Sequence, residues 1–260
     1  MKRLIVTADD FGAAPEVNEA VEAAHRGGIL SAASLMVAAP AAADAIARAR
    51  RLPALRVGLH VVLLEGRPVL PAAVLPHLTD GGGLFAANAA ALGLRVAASR
   101  AARRELAAEI TAQFAAFSDS GLTLDHCNAH RHFHLHPLIG ELLAQIGPRF
   151  GLRAVRVPLE PAAVLRKVAG PTVSPLAALT LPFALWLRSR LAGAGLITPD
   201  RVFGLRWSGH MTRERLELLA VAIAVRDCGI RLGGFADFFS SETAAARPAA
   251  AHGGEAPHRA

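Results

Sequence analysis

Short apolar runs alternate along this chain with longer stretches of helical periodicity. Leu4, Ile5 and Val6 form a run suited to a buried parallel strand, and it ends in Asp9-Asp10-Phe11-Gly12. Pro15 predicts the first turn of a helix that runs through Val17, Ala20, Val21 and Ala24 and stops at Gly27-Gly28. A strand near 33–38, a helix near 41–51 and a strand leading to His60 follow. Residues 68–94 read as a loop, with Gly81-Gly82-Gly83 as its least constrained point. In 99–117, Leu106, Ile110, Phe114 and Phe117 recur at helical spacing, which predicts an amphipathic helix on the core. A strand at 122–124, a helix opened by Pro137, a strand at 154–157 and a helix over 212–225 capped by Thr212 complete the pattern. Alternating strands and helices predict an α/β fold with a mostly parallel sheet.

Residues 168–187 carry no charge and match a membrane span in length, but Pro171, Pro175 and Pro182 argue against a regular spanning helix. Trp186, Arg188 and Arg190 follow. Two readings stay open: peripheral membrane contact through 168–190, or an internal pair of core helices. The formal net charge is +7, which favours an anionic neighbour such as a membrane. No aromatic platform or nucleic-acid motif accompanies it, so nucleic acid is not expected as a partner. Cys127 and Cys228 form no paired motif. The N-terminal apolar run is too short for a signal peptide, so a cytoplasmic protein is expected, in contact with the inner face of the membrane if 168–190 binds it. One domain is predicted over 1–240, followed by a disordered tail over 241–260.

Three segments carry chemistry. His130, His132, His134 and His136 stand at every second position, and in an extended strand they would share a face. Alone, such a run reads best as a solvated loop. Asp9 and Asp10 change that, because they stand at a predicted strand end, where α/β folds place their chemistry. Adjacent carboxylates repel unless a cation or proton intervenes. His60 lies in a third strand-like run. One carboxylate and two imidazoles from three strand ends make a metal site with open positions, as metal-assisted hydrolysis requires.

Thr-Ala-Asp-Asp-Phe-Gly at 7–12, Gly-Leu-His at 58–60 and Asn-x-His-x-His-x-His-x-His-Pro at 128–137 resemble the YdjC-like carbohydrate deacetylases. Asp125-His126 with Asn128-Ala129-His130, the segment 31–37 and the segment 229–237 resemble the branch associated with hopanoid biosynthesis. The resemblance implies a distorted (β/α) barrel that removes an N-acetyl group from an amino sugar with a divalent metal. It implies Asp10, His60 and His130 as metal ligands and Asp9 as general base. The implied substrate is an N-acetylglucosaminyl hopanoid, a glycolipid. Candidates for the acid that protonates the departing amine are His132, His134 and His210. The ligand set suits zinc, manganese or cobalt, and water-rich magnesium sites are also compatible. In the expected pattern a late strand carries His-Pro, whereas here that dipeptide occurs at 136–137. The helix at 212–225 runs almost directly into 229–237, so a strand is missing between them. An incomplete barrel exposes an edge, which a homodimer partner or a rearranged helix would cover. Two rival functions stand beside deacetylation: another metal-dependent hydrolysis, such as that of a phosphoester, or a catalytically impaired homologue that binds carbohydrate or lipid.

Overall fold

The computed structural model describes residues 4–169, 175–207 and 210–223. Four parallel strands form the sheet: β1 (Thr7–Phe11), β2 (Ala32–Leu35), β3 (Arg56–Val61) and β4 (Cys127–Ala129), in the order β1-β2-β3-β4. Parallel bridges from Cys127 to Val155 and from Ala154 to Ile197 continue the series beyond β4. Each strand thus lies beside the next one in the chain. That single direction of winding is the one a β/α barrel uses, although among the described residues nothing pairs with the free edge of β1. The expected α/β class is correct.

Helices link the strands: α1 (Pro15–Arg26), α2 (Ala42–Arg50), α3 (Ala89–Ala98), α4 (Arg100–Asp119), α5 (Pro137–Ile146), α6 (Ala162–Ala169), α7 (Pro175–Gly193) and α8 (Arg213–Ile223). Pro15 and Pro137 open α1 and α5, where the missing N–H costs nothing. Ser99 caps α4 by accepting from the Ala102 N–H at 3.2 Å. Leu106, Ile110, Phe114 and Phe117 of α4 are buried against β3, as their spacing predicts. Each full burial of this kind contributes about 1.5–3 kcal/mol. At Gly58 of β3, a Cβ would lie 2.5 Å from the His126 carbonyl oxygen and 2.6 Å from that ring's Cε1. Only glycine lets His126 pass that close beneath the strand.

Several expectations need correction. The first strand begins at Thr7, and Leu4 and Ile5 are exposed. Residues 122–124 stand outside the sheet; the strand is five residues later, at Cys127–Ala129. Helix α3 starts inside the predicted loop, with Asn88 as its cap. The histidine run does not continue as a strand. It turns into a 3-10 segment, His130–Leu135, in which Arg131 and His132 have φ of 52° and 56°. A shared face for all four histidines is therefore lost after His130. Pro182 lies inside α7. The expected cap of the last helix is observed, with the Arg215 N–H reaching Thr212 Oγ1 at 3.4 Å. The segment 229–237 and the tail 241–260 lie outside the described residues.

Candidate metal centre

Adjacent residues of a regular strand point to opposite faces, so Asp9 and Asp10 could not both serve one site from an undistorted β1. The register of β1 against β2 shifts between Ala8 and Phe11, and Asp10 adopts φ 59°. This bulge re-aims the strand end. Asp10 reaches His60 of β3 and His130 just after β4, while Asp9 reaches Asn128 of β4 and Arg156 beyond it.

Asp10 Oδ1 lies 3.2 Å from His60 Nε2 and 3.1 Å from His130 Nδ1, and those two nitrogens are 3.4 Å apart. The three atoms form a nearly equilateral triangle. Its centre, at the mean side divided by √3, lies about 1.9 Å from each atom, close to the ~2.0–2.2 Å of zinc bonds to nitrogen and oxygen. His130 sits at the end of β4 and His60 in β3, and the parallel pairing of those strands sets the spacing.

Asn128 fixes the state of His60. Its Nδ2 donates to Asp9 Oδ1 at 3.1 Å and to Ser34 Oγ at 3.0 Å, so its Oδ1 must face His60. That oxygen only accepts, so His60 Nδ1, 2.6 Å away, carries the proton. His60 Nε2 is left with a lone pair aimed at a carboxylate. Acceptors converging on one point are the arrangement a cation completes, and the donor set fits a divalent metal.

Asp9 is set differently. Burial pushes its carboxyl up, but Arg156 grips both oxygens, at 2.8 and 2.5 Å, and with His60 and Asn128 holds it down at about 2. Ser34 Oγ donates to Asp9 Oδ1 at 3.4 Å and lies 3.2 Å from His126 Nε2. His132 lies close enough to Asp9 and Arg156 to feel their charges. Burial, and then the Arg156 charge, lower it to about 4, so it is neutral near pH 7. His134 is fully buried, its Nε2 donates to the Arg156 carbonyl at 2.8 Å, and burial lowers it to about 3. His210 is exposed, with its backbone bonded to Trp207 and Arg215.

Sequence reasoning missed Arg156, Glu65 and the part played by Asn128. Asn128 and His130 share a strand face by period two, a signal present in the chain. Arg156 is the penultimate residue of the run at 154–157, where the strand-end rule also applies. Glu65 carried no signal. Its backbone has φ 54°, its Oε2 lies 3.9 Å from His130 Nε2, and it pairs with Arg131. The histidine-rich α5 end packs on α7, where a Cβ at Gly140 would meet Leu187 Cδ1 at 2.6 Å. Ala184, Leu187 and Leu191 are buried in this contact, whereas Leu185 and Trp186 are 43% and 39% exposed. Arg190 is bonded to Glu141 at 2.5 and 2.8 Å, so it fastens α7 to α5 and is not the free basic group expected beside a membrane. Among the described residues no helix is long and apolar enough to cross a membrane.

The chain is 36% identical over 170 residues to a carbohydrate deacetylase of Geobacillus stearothermophilus, covering 65% of this chain and 63% of that one. It is 37% identical over 162 residues to a chitooligosaccharide deacetylase of an Enterobacter species, covering 60% and 59%. The match thus spans less than two thirds of the length of these curated relatives. The fold is similar to a solved structure from Enterococcus faecalis V583, described as that of a cellobiose-phosphate cleavage protein. The TM-score is 0.61 at 23% identity, over 85% of this chain and 76% of that one. The pattern of the YdjC-like proteins matches residues 3–227, and the chain belongs to that family.

Proposed function

We propose that this protein is a metal-dependent hydrolase that removes the N-acetyl group from an amino sugar. The observation that carries this reading is the convergence of Asp10 Oδ1, His60 Nε2 and His130 Nδ1 within 4.8 Å of one another, with Asp9 beside them. The deacetylases among its relatives support it. Asp10, His60 and His130 would hold the metal, zinc or magnesium, which when bound supplies an acidified water and a polarised amide carbonyl.

The chain's own residues supply the rest. Arg156, Asn128 and Ser34 all bond Asp9 Oδ1, while Oδ2 has Arg156 alone and keeps a lone pair for a proton. Held at about 2, Asp9 is a weak base that would take a proton only from a water already acidified, and the strongly basic departing amine would draw that proton back. His132 stands neutral at the site, with its buried Nδ1 unpartnered among the described residues. His134, with no exposed surface, positions Arg156 through its backbone. His210 lies outside this reading.

Within the family, the motifs at 125–137 favour a glycolipid with an N-acetylglucosaminyl headgroup, and a hopanoid in particular. The exposed Leu179, Leu181, Phe183, Leu185 and Trp186 of α7, a helix packed on the segment that bears His130, support contact with the membrane that holds such a lipid. The test is incubation of metal-loaded protein with an N-acetylglucosaminyl lipid in vesicles and with a short soluble N-acetylglucosaminide, followed by mass measurement. Loss of acetyl from both supports the deacetylase. Replacing Leu185 and Trp186 with Ser should then spare the soluble substrate and weaken vesicle binding. Metal bound with no acetyl lost from either substrate favours a binding protein instead.

A further inference from the structure

We propose that Glu65 and Arg131 are specificity-determining residues, a pair that reads the hydroxyls of the sugar held beside the metal centre. This rests on the sugar-deacetylase reading above. Three observations lead to it. The first is place. Arg131 follows His130 directly, its Nη1 donates to Glu65 Oε1, and Glu65 Oε2 lies 3.9 Å from His130 Nε2. The second is backbone. Glu65 has φ 54° and Arg131 φ 52°, in the left-handed region where glycine sits at no cost. Both side chains are more than a third exposed, so their ion pair repays little of that strain. Strained residues that packing does not explain are explained by what they present.

The third is the space that Glu65 borders, with Arg131 tied to that side chain by the ion pair. A cleft of about 270 Å³ opens at Glu65 and Arg67 and is walled by Ala13, Met36, Val62 and Leu84. Apolar walls with a few charged groups at the mouth suit a hexosamine, which has apolar C–H surface and a methyl group on one side and hydroxyls on the other. The carboxylate accepts and the guanidinium donates in a planar fork, so together they match adjacent hydroxyls, each of which does both. The ion pair holds Arg131 to the rim residue Glu65 until a sugar takes over their bonds.

The experiment is a cycle of variants against ligands. Wild type, Glu65→Gln and Arg131→Ala are loaded with metal, and their metal content is measured. Methyl N-acetylglucosaminide and its 3-, 4- and 6-deoxy analogues are then offered, with both dissociation constants and turnover read. The expected result is normal metal content, with binding and KM for the parent sugar weakened about tenfold by Arg131→Ala, as for one lost hydrogen bond. For at least one deoxy analogue, wild type and variant should bind alike, because the partner hydroxyl is already gone. Arg131→Gly should lose recognition in the same way while its Tm is unchanged or higher, an outcome that a merely structural role does not give. Equal losses on every analogue, or no binding of the sugar by wild type, overturn the proposal. Binding that follows the cycle without any acetyl release keeps the recognition pair and removes the deacetylase reading instead.

Discussion

Replacing Asn128 tests the logic of the centre without touching a proposed metal ligand. In Asn128→Ala, His60 loses its 2.6 Å partner, and Asp9 and Ser34 lose donors at 3.1 and 3.0 Å. Asn128 is fully buried, so the His60 Nδ1–H is left without water or protein to accept it. An orphaned buried donor costs about 1–3 kcal/mol, and each of the other bonds contributes about 1 kcal/mol, more where it ends on a charge. The sum is a stability loss of about 3–5 kcal/mol. The ring is also freed to take the other tautomer, which turns a proton toward the metal position. Loss of such an orienting partner weakens metal binding about 10–100-fold. The assay is competition with a chelator of known affinity, alongside thermal unfolding and nitrogen NMR of the His60 ring. Metal affinity within twofold of wild type in a folded Asn128→Ala protein refutes the reasoning.

Three further outcomes are expected. Asp9 carries a carboxyl that the Arg156 ion pair, acting against burial, holds at about 2 instead of 3.8, so its stabilisation is present above the ordinary value and is lost as pH falls through about 2. Arg156→Met should therefore lower Tm most near neutral pH, with the gap to wild type closing on acidification; a gap independent of pH contradicts this. Glu109 is buried and accepts from the Val69 and Leu70 N–H groups and from Gln113 Nε2, so Glu109→Gln turns a donor onto a donor. It should cost about 1–3 kcal/mol, read by denaturant unfolding, even though burial raises the Glu109 carboxyl; a gain in stability would mean that the desolvated charge matters more. Gly58→Ala should fail to fold or to retain metal because of the His126 contact, whereas Gly81→Ala, with nothing within 4 Å, should match wild type in circular dichroism and metal content.

Much of the fold is legible in the chain because local rules and packing agree there. Pro15 and Pro137 mark helix starts, and the stripe from Leu106 to Phe117 faces β3 as its period requires. The errors fall where backbone leaves the regular classes. A period-two reading carried the histidine run too far, because Arg131 and His132 turn into left-handed conformations that no propensity assigns to them. The first apolar run pointed to Leu4 and Ile5 as core, yet β1 starts at Thr7, where pairing with Ala32 begins. The residues gathered at the centre were found as types at strand ends. What was not legible is the bulge at Asp10, the grip of Arg156 on Asp9 and the turn that brings Glu65 beside His130. The bulge depends on the register of β1 against β2, and the other two on contacts between residues 147 and 65 positions apart, so a single segment does not encode them.

The most direct test of the account is to strip the protein with a chelator, add back a divalent metal in small steps, and measure acetate released from an N-acetylglucosaminyl substrate at each step. The account predicts no release before the metal, a linear rise to one equivalent, and a plateau beyond it. It also predicts no rise with His60→Ala, and a metal-bound but nearly inactive Asp9→Asn, slower by about 10²–10⁴ as for loss of a general base. Acetate released at full rate by the stripped protein, or by metal-loaded His60→Ala, contradicts it.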